Sequence, residues 1–291
     1  MTGDLSGIKK SNDSTYYLCG GSEGSGFILQ SVDGGSTWQT LRNDFPWKIF
    51  DIDFMPSGRQ VAVSEGINFN VTDDNWFSYR YYTPSNDQFP QTGYDSDMFS
   101  VDMINDSIGY SCGGTVYQHG VIYKTTDGGV TWRYTYKPHK MRSIIMLNEN
   151  QGYTAGYGVI YKTTDGGTNW NLTNAGNDYY TCLTHSTADN CFAGGYQGSI
   201  LKATGIDDWN TKNKCNQPFE KRVHFNCINF FNNLAGAAAG ENGVIYITTD
   251  GGNNWSEGYS FEGSSINSII LVAENQGYAA ADNGRLFHFQ F

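Results

Sequence analysis

Four aspartates recur in one local setting. Asp33, Asp127, Asp165 and Asp250 each follow Ser or Thr by two positions and precede a Gly-Gly pair. A carboxylate in a tight turn could act as an acid, a base or a cation ligand. Identical repetition argues otherwise, because a repeat fold needs the same turn in every unit but one active site. These aspartates are read as turn residues that accept backbone N–H groups, with Gly35, Gly129, Gly167 and Gly252 supplying positive φ. Asp51, Asp53 and Asp102 lie in apolar stretches instead. They are the carboxylates from which a glycoside-cleaving pair could be drawn.

Other chemistries lack their residues. The five histidines (His119, His139, His185, His224 and His288) are dispersed without metal spacing. No G-x-S-x-G elbow and no Gly-rich phosphate loop before a helix occurs. No catalytic residue, metal or cofactor is expected. The net charge of −11 disfavours nucleic acid and anionic lipid. No apolar run is long enough for a membrane-spanning helix, so no membrane insertion is expected. The six cysteines show no C-x-x-C spacing. Cys19 and Cys112 occupy equivalent repeat positions and read as small core residues. Cys182 with Cys191, or Cys215 with Cys227, could pair in an oxidising compartment.

The elements that hold these residues follow from the repeat. SVDGGSTW, TTDGGVTW, TTDGGTNW and TTDGGNNW end at Trp38, Trp132, Trp170 and Trp255. Two degenerate copies end at Trp76 and Trp209. Trp132 and Trp170 lie 38 residues apart, close to the roughly 40–45 residues of known propeller blades. Residues 143–173 read as four short strands joined by tight turns, the unit of a blade. Counting the second strand of each unit gives seven, at Tyr17, Val61, Tyr110, Tyr153, Cys191–Ala193, Ala237 and Tyr278. The sequence therefore predicts one all-β domain over residues 1–291. It is a seven-bladed β-propeller of four-stranded antiparallel blades, with almost no helix. The last unit stops at Phe291 after its third strand, so the last blade is expected to have three strands. With the first strand placed at residues 5–11, too few residues precede it for another, and an upstream segment is expected to supply the missing strand.

In each blade the four strands run A to D from the centre outwards. The D-to-A and B-to-C connections fall on the face opposite the Asp turns, where loops vary freely. The longest connection, residues 77–99, holds Tyr79, Tyr81, Tyr82, Phe89 and Tyr94. Others supply Trp47, Tyr136, Arg142, Tyr180 and Arg222. Aromatic rings with a polar handle suit protein hot spots and sugar stacking. These ten residues are the candidate partner-binding set.

The S/T-x-D-G-G-x-x-W repeat resembles the Asp-box (BNR) propellers. The longer unit G-Y-x-x-G-x-x-G-x-I-Y-K-T-T-D-G-G-x-x-W resembles the photosystem II stability/assembly factor-like propellers and their bacterial relatives. That resemblance spans nearly the whole chain and is specific for fold. It implies a non-catalytic scaffold that holds a protein partner, as a monomer or as a subunit of a hetero-complex. The arginine-rich patch it implies for photosynthetic members is not matched by seven scattered arginines. The wider Asp-box group leaves two alternatives: a carbohydrate-binding surface protein, and a glycoside hydrolase of the sialidase or xyloglucanase-like type. No basic-then-apolar leader follows Met1. The expected location is exported (periplasmic, cell-surface or secreted), with the signal peptide absent from this chain and the cytoplasm as the alternative.

Overall fold

The computed structural model describes residues 3–83, 96–203, 209 and 223–291, together with the backbone of 211–214. Seven antiparallel sheets follow one another along the chain, at residues 4–45, 49–82, 97–137, 141–172, 180–214, 225–260 and 266–290. The first six have four strands each, and the seventh has three. The fold is the seven-bladed propeller that the repeat predicts, three-stranded last blade included. The first strand runs Asp4–Lys10.

Burial grades across each blade as the sequence pattern requires. The A strand Ile49–Phe54 buries Ile49 and Ile52 and leaves the residues between half-exposed. The B and C strands Gln60–Ser64 and Asn68–Thr72 are buried throughout. The D strands Arg133–Lys137 and Ser256–Ser260 are mostly exposed. A strand packed on both faces must fit a neighbouring layer on each side. That is why Gly236–Gly240 reads Gly-Ala-Ala-Ala-Gly, small enough for close approach on both sides.

The chain packs as two compact units. In the unit of Lys9–Thr154 with Thr163–Asn169, one core joins Tyr17, Ile28 and Phe45 of blade one to Ile49, Ile52 and Trp76 of blade two. A second joins Val61, Phe69 and Val71 of blade two to Met98, Val101, Tyr123 and Trp132 of blade three. In the unit of Met1–Ile8, Ala155–Lys162 and Trp170–Phe291, Phe192 and Ile200 pack on Phe225 and Tyr246. There Ala237, Ala239 and Ile245 pack on Ile266, Ile269 and Phe289. The first strand also meets the last blade here. Ile8 N–H donates to Ser268 Oγ at 3.1 Å, and Asn267 Nδ2 donates to the Leu5 carbonyl at 3.0 Å.

The Gly-Tyr start of the B strands has a steric cause. A Cβ on Gly109 or Gly152 would stand 2.1 Å from the sulfur of Met103 or Met146. The cysteines correct one expectation. Cys112, Cys182, Cys191 and Cys227 are free thiols, and these and Cys19 are buried. Cys191 pairs across the sheet with His185, while Cys182 faces Gly194, so strand register keeps the two apart. Cys215 lies outside the described residues.

Candidate functional site

The Asp turns form a repeated hydrogen-bonded unit. In blade three the Thr125 hydroxyl accepts the Gly129 N–H at 2.9 Å and donates to Asp127 at 2.8 Å. Asp127 accepts the Thr131 N–H at 2.9 Å and its hydroxyl at 2.6 Å. The same bonds join Ser31, Asp33 and Thr37, Thr163, Asp165 and Asn169, and Thr248, Asp250 and Asn254. Donation from the Thr37 hydroxyl, its N–H and Ser31 holds Asp33 down to about 2. Trp132 is buried and stacks on Phe69 at 4.2 Å. Trp170 is also buried, and Trp38 and Trp255 are half-buried. The N–H groups of Gly34, Gly128, Gly166 and Gly251 donate to carbonyls of Ser14, Ser107, Asn150 and Leu234. This fixes each Asp turn beside the A-to-B turn of its own blade.

The second blade departs from the sequence reading. Thr72 Oγ1 accepts the Trp76 N–H at 3.0 Å, and Asp74 accepts the Ser78 N–H at 2.9 Å. Asn75 and Trp76 therefore occupy the two glycine positions, at φ +56° and +70°. Trp76 is not the residue that closes the turn. Tyr79 stands there, seven positions after Thr72 as Trp132 stands seven after Thr125. Its ring lies 4.8 Å from Phe45, with the Arg42 guanidinium 4.6 Å above it. This places a candidate partner-binding residue on the turn side as packing.

Sequence reasoning also missed a latch between blades. Lys124 Nζ donates to the Gly166 carbonyl at 2.6 Å, and Lys202 Nζ to that of Gly251 at 2.8 Å. Both lysines stand one position before the turn's Thr or its Ala203 counterpart, a regularity visible in the repeat itself.

On the opposite face, B-to-C turns of several blades are tied to D-to-A connections. Glu65 N–H donates to Lys48, Lys140 to Tyr117, Tyr196 to Tyr179 and Glu241 to His224, all through backbone carbonyls. In the unit holding blades one to three, this face gathers rings and cations. Phe50 and Phe99, from neighbouring A strands, lie 5.2 Å apart. The Arg142 guanidinium sits 4.1 Å from the Phe99 centroid and the Lys140 ammonium 4.8 Å from it. Lys48 approaches Phe50 at 5.9 Å. Burial and then the neighbouring Arg142 charge push Lys140 below its ordinary value, with Asp97 opposing. Arg142 Nε is buried with no hydrogen-bond partner among the described residues. Cations held over ring faces, with donor capacity to spare, suit an anionic group such as a carboxylate.

The other candidates separate. Trp47 meets Tyr81 edge-on at 6.0 Å, and Tyr81 is 61% exposed. Tyr136 is exposed and its hydroxyl donates to the Gln118 carbonyl. Tyr82 packs against the core around Phe69. Tyr81 and Tyr82 belong to the D strand Arg80–Tyr82 rather than to a free loop. Tyr180 is 1% exposed, and its hydroxyl donates to the Gly176 carbonyl. It is a core residue, because alternation along its A strand turns it inward while Tyr179 faces out. Phe89, Tyr94 and Arg222 lie outside the described residues. Phe50 and Phe99 were not singled out in the sequence, since an A-strand phenylalanine reads as core.

The three apolar-stretch carboxylates do come together. Lys9 Nζ lies 3.2 Å from Asp51 and 3.7 Å from Asp53. Val101 N–H donates to Asp51, Met103 N–H to Asp53 and Met146 N–H to Asp102. Each carboxylate thus bonds the A strand of the next blade. Burial, then Asp53, pushes Asp102 up to about 7, against the Met146 N–H and Lys9.

No family model matches the chain, and no curated protein matches it in sequence. Solved structures do match. YCF48 from Cyanidioschyzon merolae is similar with a TM-score of 0.74 and 15% identity, over 99% of this chain and 96% of that one. A structure of YCF48 bound to D1 peptide is similar with a TM-score of 0.76 and 15% identity, over 100% of this chain and 93% of that one. At this identity the likeness is one of fold.

Proposed function

We propose that this chain is a non-catalytic protein-binding scaffold of the assembly-factor kind, acting in an exported compartment, with the Asp-box repeats as its framework. Its partner meets the face opposite the Asp turns. The observation that carries this is the pair of cations, Arg142 and Lys140, held over Phe99 beside Phe50. An acidic side chain or a C-terminal carboxylate of the partner would pair with the guanidinium, and the partner's apolar neighbour would cover the rings. Trp47 and Tyr81 extend the surface outward. A similar propeller is known with a peptide bound, which supports a peptide-like partner for this one. The test is affinity capture from the native organism. The wild-type chain should retain a partner that the Arg142→Gln, Lys140→Gln double variant loses, while both melt at the same temperature. A variant that captures the same partner equally well would refute this placement.

A further inference from the structure

A second surface lies in the other unit, on the connections of blades four to seven. Tyr157, on a B-to-C turn, meets Tyr179 edge-on at 5.6 Å. Tyr179 lies 6.2 Å from Tyr196, and Tyr196 stacks on His224 at 3.5 Å. His224 Nδ1 then pairs with Glu241 at 2.7 Å. Glu241 in turn lines a pocket of about 640 Å³ with Asn242, Glu262, Ser264, Ser265 and Asp282. The rings are open to a partner: Tyr157 is 43% and Tyr196 46% exposed. One continuous track therefore runs from three tyrosines into a pocket walled by three carboxylates. One arginine stands at its edge, where Arg285 Nη1 donates to Ser264 Oγ at 2.8 Å. A guanidinium is thus already accommodated against this wall.

We propose that this track seats an extended peptide segment of a protein partner, with an arginine or lysine of that segment in the pocket. The inference rests on the protein-binding reading above but concerns separate residues and the opposite charge. Three observations favour a basic peptide. Tyrosine faces attract cations and cover the stems of long basic side chains. Carboxylates around a pocket pair with guanidinium or ammonium groups. The chain's net charge of −11 steers a basic segment toward it. Aromatic-lined tracks are a recurrent seat for extended peptides. A neutral oligosaccharide would stack on the rings and donate hydroxyls to the carboxylates, but it would bring no charge to match them.

The test is selection of a random peptide library, displayed on phage, against the full chain. Recovered peptides should be enriched in arginine or lysine. Their affinity, read by fluorescence polarisation, should fall about tenfold or more in Glu262→Gln and in Tyr196→Ala, and should weaken as salt rises. Glu262 is exposed, so its replacement leaves the fold intact. Unfolding of Tyr196→Ala would leave Glu262→Gln to decide. Peptides without basic enrichment, or basic peptides indifferent to both variants, would overturn this inference while leaving the scaffold reading standing. A glycan array with hits that Tyr196→Ala abolishes and Glu262→Gln spares would overturn it in favour of sugar. No peptide recovered, together with no partner captured, would sink both.

Discussion

The Thr72 hydroxyl accepts the Trp76 N–H at 3.0 Å, the same bond that the Thr125 hydroxyl makes to Gly129 at 2.9 Å. Trp76 thus stands where the other turns place glycine, at φ +70°. A left-handed conformation costs a non-glycine residue roughly 1–2 kcal/mol. The offset is full burial of the indole, whose Nε1 donates to Gln60 at 2.5 Å. Deleting a buried Trp side chain costs about 3–5 kcal/mol. Burial therefore outweighs strain, and Trp76→Gly should destabilise by about 2–3 kcal/mol in denaturant unfolding. A more stable variant would show that strain dominates.

Thr125→Ala removes the acceptor for the Gly129 N–H and the donor to Asp127. Thr125 is buried, so water cannot replace it freely. The expected loss is about 1–2 kcal/mol, or a fall in Tm of about 2–4 °C per kcal/mol for a chain of this size. Thr125→Ser should restore most of it, since only the hydroxyl is used.

The turn aspartates set the acid limit of stability. Asp33 is held to about 2 in the folded chain, against about 3.9 when unfolded. A depressed carboxylate stabilises fully above its unfolded value and loses that contribution as pH falls through its folded one. Asp74 and Asp165 shift the same way. Melting temperature should therefore drop between about pH 4 and pH 2, and Asp33→Asn should flatten part of that drop. An unchanged acid profile in this variant would contradict the assignment.

Asp102 behaves in the opposite sense. Burial raises it to about 7, so ionising it costs the folded state, and stability declines as pH rises from about 4 toward 7. Asp102→Asn keeps an acceptor for the Met146 N–H and removes the charge. It should raise Tm at pH 8 and raise it less at pH 5. Equal effects at both would show that the Asp102 carboxyl is not raised by its burial.

Tyr81 and Tyr82 should part company. Tyr82 packs on the Phe69 core, while Tyr81 is 61% exposed beside Trp47. Tyr82→Ala should lower Tm and Tyr81→Ala should leave it unchanged. A reduced Tm in Tyr81→Ala would mark that ring as packing too.

The sequence by itself determined the repeat, and through it the blades. Each Asp turn is local: Thr125, Asp127, Gly129 and Thr131 satisfy one another within seven residues, so their chemistry is legible in a short window. Blade count, strand order and the three-stranded last blade followed from the longer strand pattern around these turns, counted by its second strand. Pattern reading failed where local chemistry was the same but its residues differed. Asn75 and Trp76 do not look like Gly-Gly, and only the neighbouring Tyr17 and Gln60 side chains explain how they are tolerated. The binding surfaces were legible in part. Arg142, Trp47 and Tyr81 stood out as exposed types on connections, but Tyr180 did not differ from Tyr179 until strand direction turned it inward. Phe50 with Phe99, and Tyr157 with Tyr196 through Tyr179, come from different blades, far apart along the chain. Their meeting is set by how successive blades pack, a long-range relation that no single repeat encodes.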